Sequence, residues 1–89
     1  MSTFDAMKMK ALKIGDLEIR VPIIQGGMGI GISLSKLASA VSNMGGVGII
    51  STVGIGMTGK QSNLGWKKGN IEGVRQEIRK ARELTTGVL

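Results

Sequence analysis

The sequence predicts an α/β fold assembled from strand–helix units, and three features lead to that reading. Two runs of strand length are apolar on consecutive residues, Val21-Pro22-Ile23-Ile24-Gln25 and Val47-Gly48-Ile49-Ile50-Ser51-Thr52. Such runs fit parallel strands covered on both faces, where alternation is not needed. Between them Leu34, Leu37, Ala38, Val41 and Met44 recur at helical spacing. Two strands joined by one helix over this distance form a βαβ unit with parallel strands and a right-handed crossover. A second helical pattern then leads into the apolar pair Val88-Leu89, which reads as the start of a third strand.

The remaining elements follow from local chemistry. Residues 1–10 are expected to be disordered or loosely docked. Leu12–Ile14 and Leu17–Arg20 flank Gly15-Asp16, a short hairpin signal. Pro22 donates no ladder hydrogen bond, which suits the first position of a strand. Gly26-Gly27-Met28-Gly29-Ile30-Gly31-Ile32-Ser33 is a loop whose backbone must bend sharply or approach something closely. Ser33 is predicted to cap the first helix through its hydroxyl. Asn43-Met44-Gly45-Gly46 closes that helix, with glycine where a left-handed residue is wanted. Residues 53–69 read as a long loop, after which Asn70 is predicted to cap a second helix. Ile71, Val74, Ile78, Ala81 and Leu84 share one face of it. The polar face offers the ion pairs Glu72–Arg75 and Arg79–Glu83. Thr85-Thr86-Gly87 ends the helix.

Composition narrows the chemistry. The chain has no cysteine and no histidine. Disulfides, thiolate metal sites and the commonest general base are therefore absent. Six carboxylates, Asp5, Asp16, Glu18, Glu72, Glu77 and Glu83, are scattered without the spacing of a metal or glycosidase pair. No catalytic residue and no metal ligand is assigned. The charge of +6 is spread along the chain, without the interleaved aromatics of a nucleic-acid stacking surface. Nucleic acid is not an expected partner. Leu37 to Thr58 carries no charge, but its glycines and Ser39, Ser42, Asn43, Ser51 and Thr52 favour helix–turn–strand over a membrane span. With no secretory h-region and no cysteine, a cytoplasmic location is expected.

Fifteen glycines and only two aromatics, Phe4 and Trp66, leave little bulk for a self-sufficient core in 89 residues. Two strand–helix units and a fraction of a third fall short of a closed barrel, which takes about 250 residues. Residues 1–89 are thus expected to be part of one larger, incomplete domain. Alone, they are expected to be catalytically inert, poorly stable and prone to self-association.

The Gly26–Ser33 loop carries the main functional signal. It lies at the carboxyl end of a parallel strand, the edge where α/β ligand sites sit. Backbone there can approach a flat ring or an anion; the alternative is a tight turn with no ligand. It is not a dinucleotide fingerprint, because the third glycine is misplaced and no acid ends the second strand. Gly54–Gln61 imitates a phosphate loop but has Gln61 where Mg²⁺ coordination needs serine or threonine. Lys60, Lys67 and Lys68 with Trp66 read as a solvated loop rather than a lid over an anion. Met44 reads as packing.

Three blocks occur in order: Pro22-Ile23-Ile24-Gln25-Gly26-Gly27-Met28-Gly29, then Leu37-Ala38-Ser39-Ala40-Val41-Ser42-Asn43, then Gly45-Gly46-Val47-Gly48-Ile49-Ile50-Ser51. With them the chain resembles the nitronate monooxygenase family, formerly 2-nitropropane dioxygenase, which includes FMN-dependent enoyl-acyl-carrier-protein reductases. The resemblance runs from about Leu12 onward. It implies the N-terminal part of an FMN-binding (β/α)₈ barrel, a flavoprotein oxidoreductase. The cofactor-binding residues it implies are Gly27, Met28 and Gly29, whose backbone meets the flavin ring with Met28 packed on it. Ser51 and Thr52 are implied at the same mouth. The family's catalytic histidine has no counterpart in this chain. The implied substrate is a small molecule, an alkyl nitronate or alternatively an enoyl thioester. Gly29-Ile30-Gly31-Ile32-Ser33 is closer to the nitronate oxidisers. A reading of another class, a non-catalytic binding piece, stands beside these.

Overall fold

The computed structural model describes residues 9–57 and 64–89. β1 (Leu12–Ile14) and β2 (Leu17–Ile19) form an antiparallel hairpin pairing Leu12 with Ile19, Lys13 with Glu18 and Ile14 with Leu17. Gly15 holds φ +56° at the first position of the two-residue turn, a conformation glycine adopts without steric cost. The hairpin is as predicted, one residue shorter at Arg20. The loose start expected for residues 1–10 lies outside the described residues, except for the exposed Met9 and Lys10.

Residues 21–25 and 45–47 run parallel, as the βαβ reading requires. The Val21 N–H donates to Gly45 O (3.1 Å), the Val47 N–H to Ile23 O (2.9 Å) and the Gln25 N–H to Val47 O (3.0 Å). These bonds surround a single parallel bridge, Ile24↔Val47. The Gly48 N–H continues the ladder to Val88 O at 3.0 Å, where a third strand was expected to begin. Double-sided burial, however, is not achieved. Ile23 is 49% and Ile24 54% exposed, and neighbouring strand residues point to opposite faces. Neither face of the first parallel segment is closed over by the described residues.

α1 (Ser35–Asn43) connects the two segments and ends as predicted. Gly45 takes φ +97°, its N–H donates to Ser42 O (3.0 Å) and the Gly46 N–H reaches back to Val41 O (3.2 Å). That pair of bonds is a Schellman closure. The start of α1 corrects the sequence reading. Ser33 makes no cap bond to the helix, and Leu34 holds the N-cap position with no side-chain bond. The Ser33 hydroxyl is engaged in the preceding loop.

α2 (Trp66–Leu84) begins at Gly65, φ +88°, so Asn70 is inside the helix and is not its cap. The Asn70 Oδ1 instead accepts the Gly56 N–H at 2.7 Å. The predicted 53–69 loop is correspondingly shorter. Ile55–Met57 form a 3₁₀ turn, and Trp66, Lys67 and Lys68 are exposed in the first turn of α2 rather than in a loop. Lys60 lies outside the described residues. Of the expected ion pairs, Glu72–Arg75 forms at 3.3 Å. Among the described residues the other pair is Glu77–Lys80 at 3.5 Å, in place of Arg79–Glu83.

The helices bury mostly small residues rather than their larger apolar side chains. Ser35, Ala38, Ser39 and Ser42 are buried on α1; Gly69, Gly73, Glu77 and Ala81 are buried on α2. Leu37, Met44, Ile71, Ile78 and Leu84, which recur at helical spacing in the sequence, are all more than a third exposed. Short side chains let backbones approach closely, and a Cβ on Gly48 would collide with the Ala38 carbonyl. The core consists of Ile19, Val21, Ala38, Val47, Ile55 and Ala81. The uncharged stretch from Leu37 to Thr58 is divided into helix, glycine turn and extended segment. No helix among the described residues is long and apolar enough to cross a membrane.

Candidate functional site

The loops that follow the two parallel segments meet at one end of the pair. A Cβ at Gly27 would lie 3.4 Å from Ile49 Cγ2 and 3.9 Å from Ser51 Cβ. One at Gly29 would lie 2.9 Å from Val53 Cβ, and one at Gly54 2.6 Å from Ile30 Cγ1. Gly27, Gly29 and Ser51 are thus brought together. Met28 stands beside them, 43% exposed. Thr52 follows Ser51, is exposed, and its carbonyl accepts the Ile55 N–H at 3.3 Å.

The two loop glycines are not equivalent. Gly29 is pressed against Val53, so its missing side chain is explained by the chain's own packing. Gly27 is exposed, has no left-handed φ and would meet only ordinary van der Waals contacts with a Cβ. Internal packing gives no reason for glycine there. Among the described residues, the N–H groups of Gly27 and Gly29 have no hydrogen-bond partner. Backbone donors usually find a partner, in protein or water. Here they remain available at the surface of the loop.

A polar pair, buried Ser33 and half-buried Gln25, holds this loop, and the sequence reading missed its purpose. Ser33 is fully buried. Its Oγ accepts the Met28 N–H (2.8 Å) and a Gln25 Nε2–H (3.0 Å), and donates to Gly26 O (3.4 Å). Its main chain also closes the loop, the N–H donating to Met28 O (2.8 Å) and the carbonyl accepting the Ser51 N–H (2.9 Å). Gln25 bridges outward. Its Nε2 donates to Ile49 O (3.0 Å), and its Oε1 accepts the Ile49 N–H (3.2 Å). The one available signal was an amide residue ending an apolar run directly before a glycine loop.

Glu77 is a second residue whose position was not legible. It comes from the middle of α2, is 7% exposed, and its Oε1 accepts the Ser35 N–H at 3.0 Å. The carboxylate thus satisfies an orphan donor at the start of α1 from another helix. Burial alone pushes its pKa up; the hydrogen bonds from Ser35 and the charge of Lys80 outweigh this and hold it below the ordinary glutamate value.

The glycine-rich stretch that imitates a phosphate loop has the opposite character. The N–H groups of Ile55, Gly56 and Met57 donate to Thr52 O, Asn70 Oδ1 and Gly54 O. Ile55 and Gly56 are buried. A phosphate cradle needs such donors free and convergent. Residues 58–63, including Lys60 and Gln61 of that near-motif, lie outside the described residues.

Among known families, the nitronate monooxygenase family matches residues 10–88. The chain belongs to that family. No curated protein and no solved structure matches it. Membership in the nitronate monooxygenase family brings flavin-dependent oxidoreductase chemistry as the broad class. The loop residues present are compatible with a flat, electron-poor ring. Gly27 leaves its backbone uncovered, the Gly27 and Gly29 donors are unpaired, and Met28 is exposed beside them. A side chain on Gly27 would fill the same space.

Proposed function

We propose that residues 1–89 form the N-terminal portion of a (β/α)₈ barrel that binds FMN and oxidises alkyl nitronates with oxygen. One observation supports this most: the open Gly27 backbone stands beside Ser51 at the carboxyl end of a parallel pair. When bound, FMN supplies the electron carriage that no amino-acid side chain here can perform. The chain's part is to hold the ring. Gly27 and Gly29 offer backbone donors, Met28 packs on the ring, and Ser51 and Thr52 line the mouth. The chain contains no histidine, so proton transfer belongs to other segments of the barrel. Exposed Ile23, Ile24, Ile71 and Ile78 are where those segments, or other copies of the chain, would pack. The cytoplasm is the proposed location.

The test uses the full-length polypeptide carrying these residues. It is purified, scanned for flavin absorbance, and then mixed with an alkyl nitronate and oxygen. A parallel sample receives an enoyl thioester and reduced nicotinamide. Bound FMN with nitronate turnover is the expected result. Turnover of the enoyl thioester instead would assign the reductase branch of the family. Absence of bound flavin would remove the reading, leaving the non-catalytic alternative.

A further inference from the structure

We infer that Gln25 and Ser33 are positioning residues for the flavin-facing loop, acting as one unit that fixes the Gly26–Met28 backbone against the end of the second parallel segment. The inference rests on the proposed FMN site and names the residues that would shape it.

The hydrogen-bond inventory of the pair is complete. An amide side chain has two N–H donors and one carbonyl acceptor. Gln25 directs one Nε2–H to Ile49 O and the other to Ser33 Oγ, both at 3.0 Å, while its Oε1 receives the Ile49 N–H at 3.2 Å. It therefore engages both backbone groups of Ile49, as a strand residue would, and adds a rung just beyond the Ile24↔Val47 bridge. A hydroxyl has one hydrogen and two lone pairs. Ser33 receives Gln25 and Met28 on the lone pairs and directs its hydrogen to Gly26 O. Each group satisfies the other, and the network is buried at its centre, where Ser33 is inaccessible to solvent. No water is needed to complete it.

The consequence falls on the loop. Gly26 and Met28, on either side of Gly27, are tied to the same hydroxyl oxygen. Gly27 itself is left without a hydrogen bond and exposed between two fixed neighbours. A glycine-rich segment is otherwise the most freely moving kind of backbone. Holding both flanks prepays the ordering that a bound ring would otherwise impose, which is how preorganisation raises affinity. The required chemistry is specific. Glutamate at position 25 would turn an acceptor toward Ile49 O and lose both donors. Alanine at position 33 would release Met28 and Gly26 together.

The experiment compares the wild-type full-length polypeptide with Gln25→Met and Ser33→Ala. Two quantities are read: amide hydrogen exchange at Met28 and Ile49 in the FMN-free protein, and FMN affinity from quenching of flavin fluorescence. Ser33→Ala should speed exchange at Met28, and Gln25→Met should speed it at Ile49. Each should weaken FMN binding about tenfold, the loss of roughly one to two net hydrogen bonds. The double variant should be less than multiplicative, since the two act as a unit. Ser33→Thr, which keeps the hydroxyl, should restore both the Met28 protection and the affinity. Wild-type FMN affinity in folded Gln25→Met and Ser33→Ala would overturn the inference while leaving the proposed function intact. A wild-type protein that binds no FMN would overturn the proposed function, and this inference with it. Should Ser33→Ala fail to fold, Gln25→Met and Ser33→Thr carry the same comparison.

Discussion

Two glycine loops in this chain look alike in sequence and differ in how they treat their backbone donors. Both follow a parallel segment and precede a helix. In residues 51–57 the glycine is an instrument of packing. Gly56 is buried against the start of α2, its N–H is held by Asn70, and its neighbours Ile55 and Met57 donate within the turn. In residues 26–33 side chains provide the internal bonds, and Gly27 keeps an exposed, unpaired backbone. Glycine content alone could not separate the two. The donors of Ile55, Gly56 and Met57 are used within the fold and those of Gly27 and Gly29 are not, and a ligand can be held only by donors the fold has not used.

The largest expected effect lies on the packing side of that comparison. A Cβ at Gly56 would collide with the backbone of Gly69 and Asn70. Backbone cannot move aside as a side-chain tip can, so Gly56→Ala should cost about 3 kcal/mol of stability. Denaturant unfolding checks this. A loss below about 0.5 kcal/mol would mean that the two loops are not distinguished by packing at all.

Gly27→Val tests the other side. A Cβ at Gly27 meets only ordinary contacts with Ile49 and Ser51, so folding should change by less than about 1 kcal/mol. Affinity for FMN should fall roughly 10- to 100-fold, the steric cost of about 1–3 kcal/mol now placed between backbone and ring. Thermal unfolding of the flavin-free protein and flavin content after purification separate the two quantities. Unchanged flavin content would remove Gly27 from the cofactor site. Together the two substitutions should give opposite signatures, stability without direct recognition for Gly56 and recognition without stability for Gly27.

What the sequence revealed and what it hid follow the same division. The hairpin was legible because Gly15-Asp16 and its flanking residues determine it locally. The end of α1 was legible because a Schellman closure requires only Gly45 and its near neighbours. Ser33 and Asn70 were both misread as helix caps. The capping rule looks three residues ahead, whereas Ser33 bonds backward to Gly26 and Met28, and Asn70 bonds to Gly56, 14 residues away. The helix faces were misjudged for a related reason. Spacing identifies which apolar residues align, but the residues that α1 and α2 bury are serine, alanine, glycine and Glu77. Leu37, Ile71 and Ile78 are exposed. At the proposed site, the glycine pattern and the family blocks pointed to the loop whose Gly27 donor is unpaired, while the Gln25–Ser33 support depended on Ile49, 24 residues from Gln25.

The smallest expected effect concerns Glu77, which joins the comparison because it anchors the helix that follows the open loop. Its carboxylate receives the Ser35 N–H, two residues after Ser33, and Lys80 lies beside it on the same helix. Lys36 shares the adjoining cleft and adds positive charge from α1. The hydrogen bonds and Lys80 hold the Glu77 pKa below its ordinary value of 4.5 against the opposing effect of burial. A carboxyl group depressed in the folded state is more often protonated in the unfolded chain than in the native one. Its contribution is therefore present above the ordinary glutamate value and is lost as pH falls through the lower folded-state value. Glu77→Gln keeps an oxygen that can accept the Ser35 N–H but removes the charge at the helix N-terminus, a change of about 0.5–1 kcal/mol. Wild type and Glu77→Gln should thus differ in denaturant stability at neutral pH, and the difference should vanish on acidification below the carboxylate range. If the gap instead stayed constant down to strong acid, the charge of Glu77 would not be what supports α1. The open loop would then rest on Gln25 and Ser33 alone.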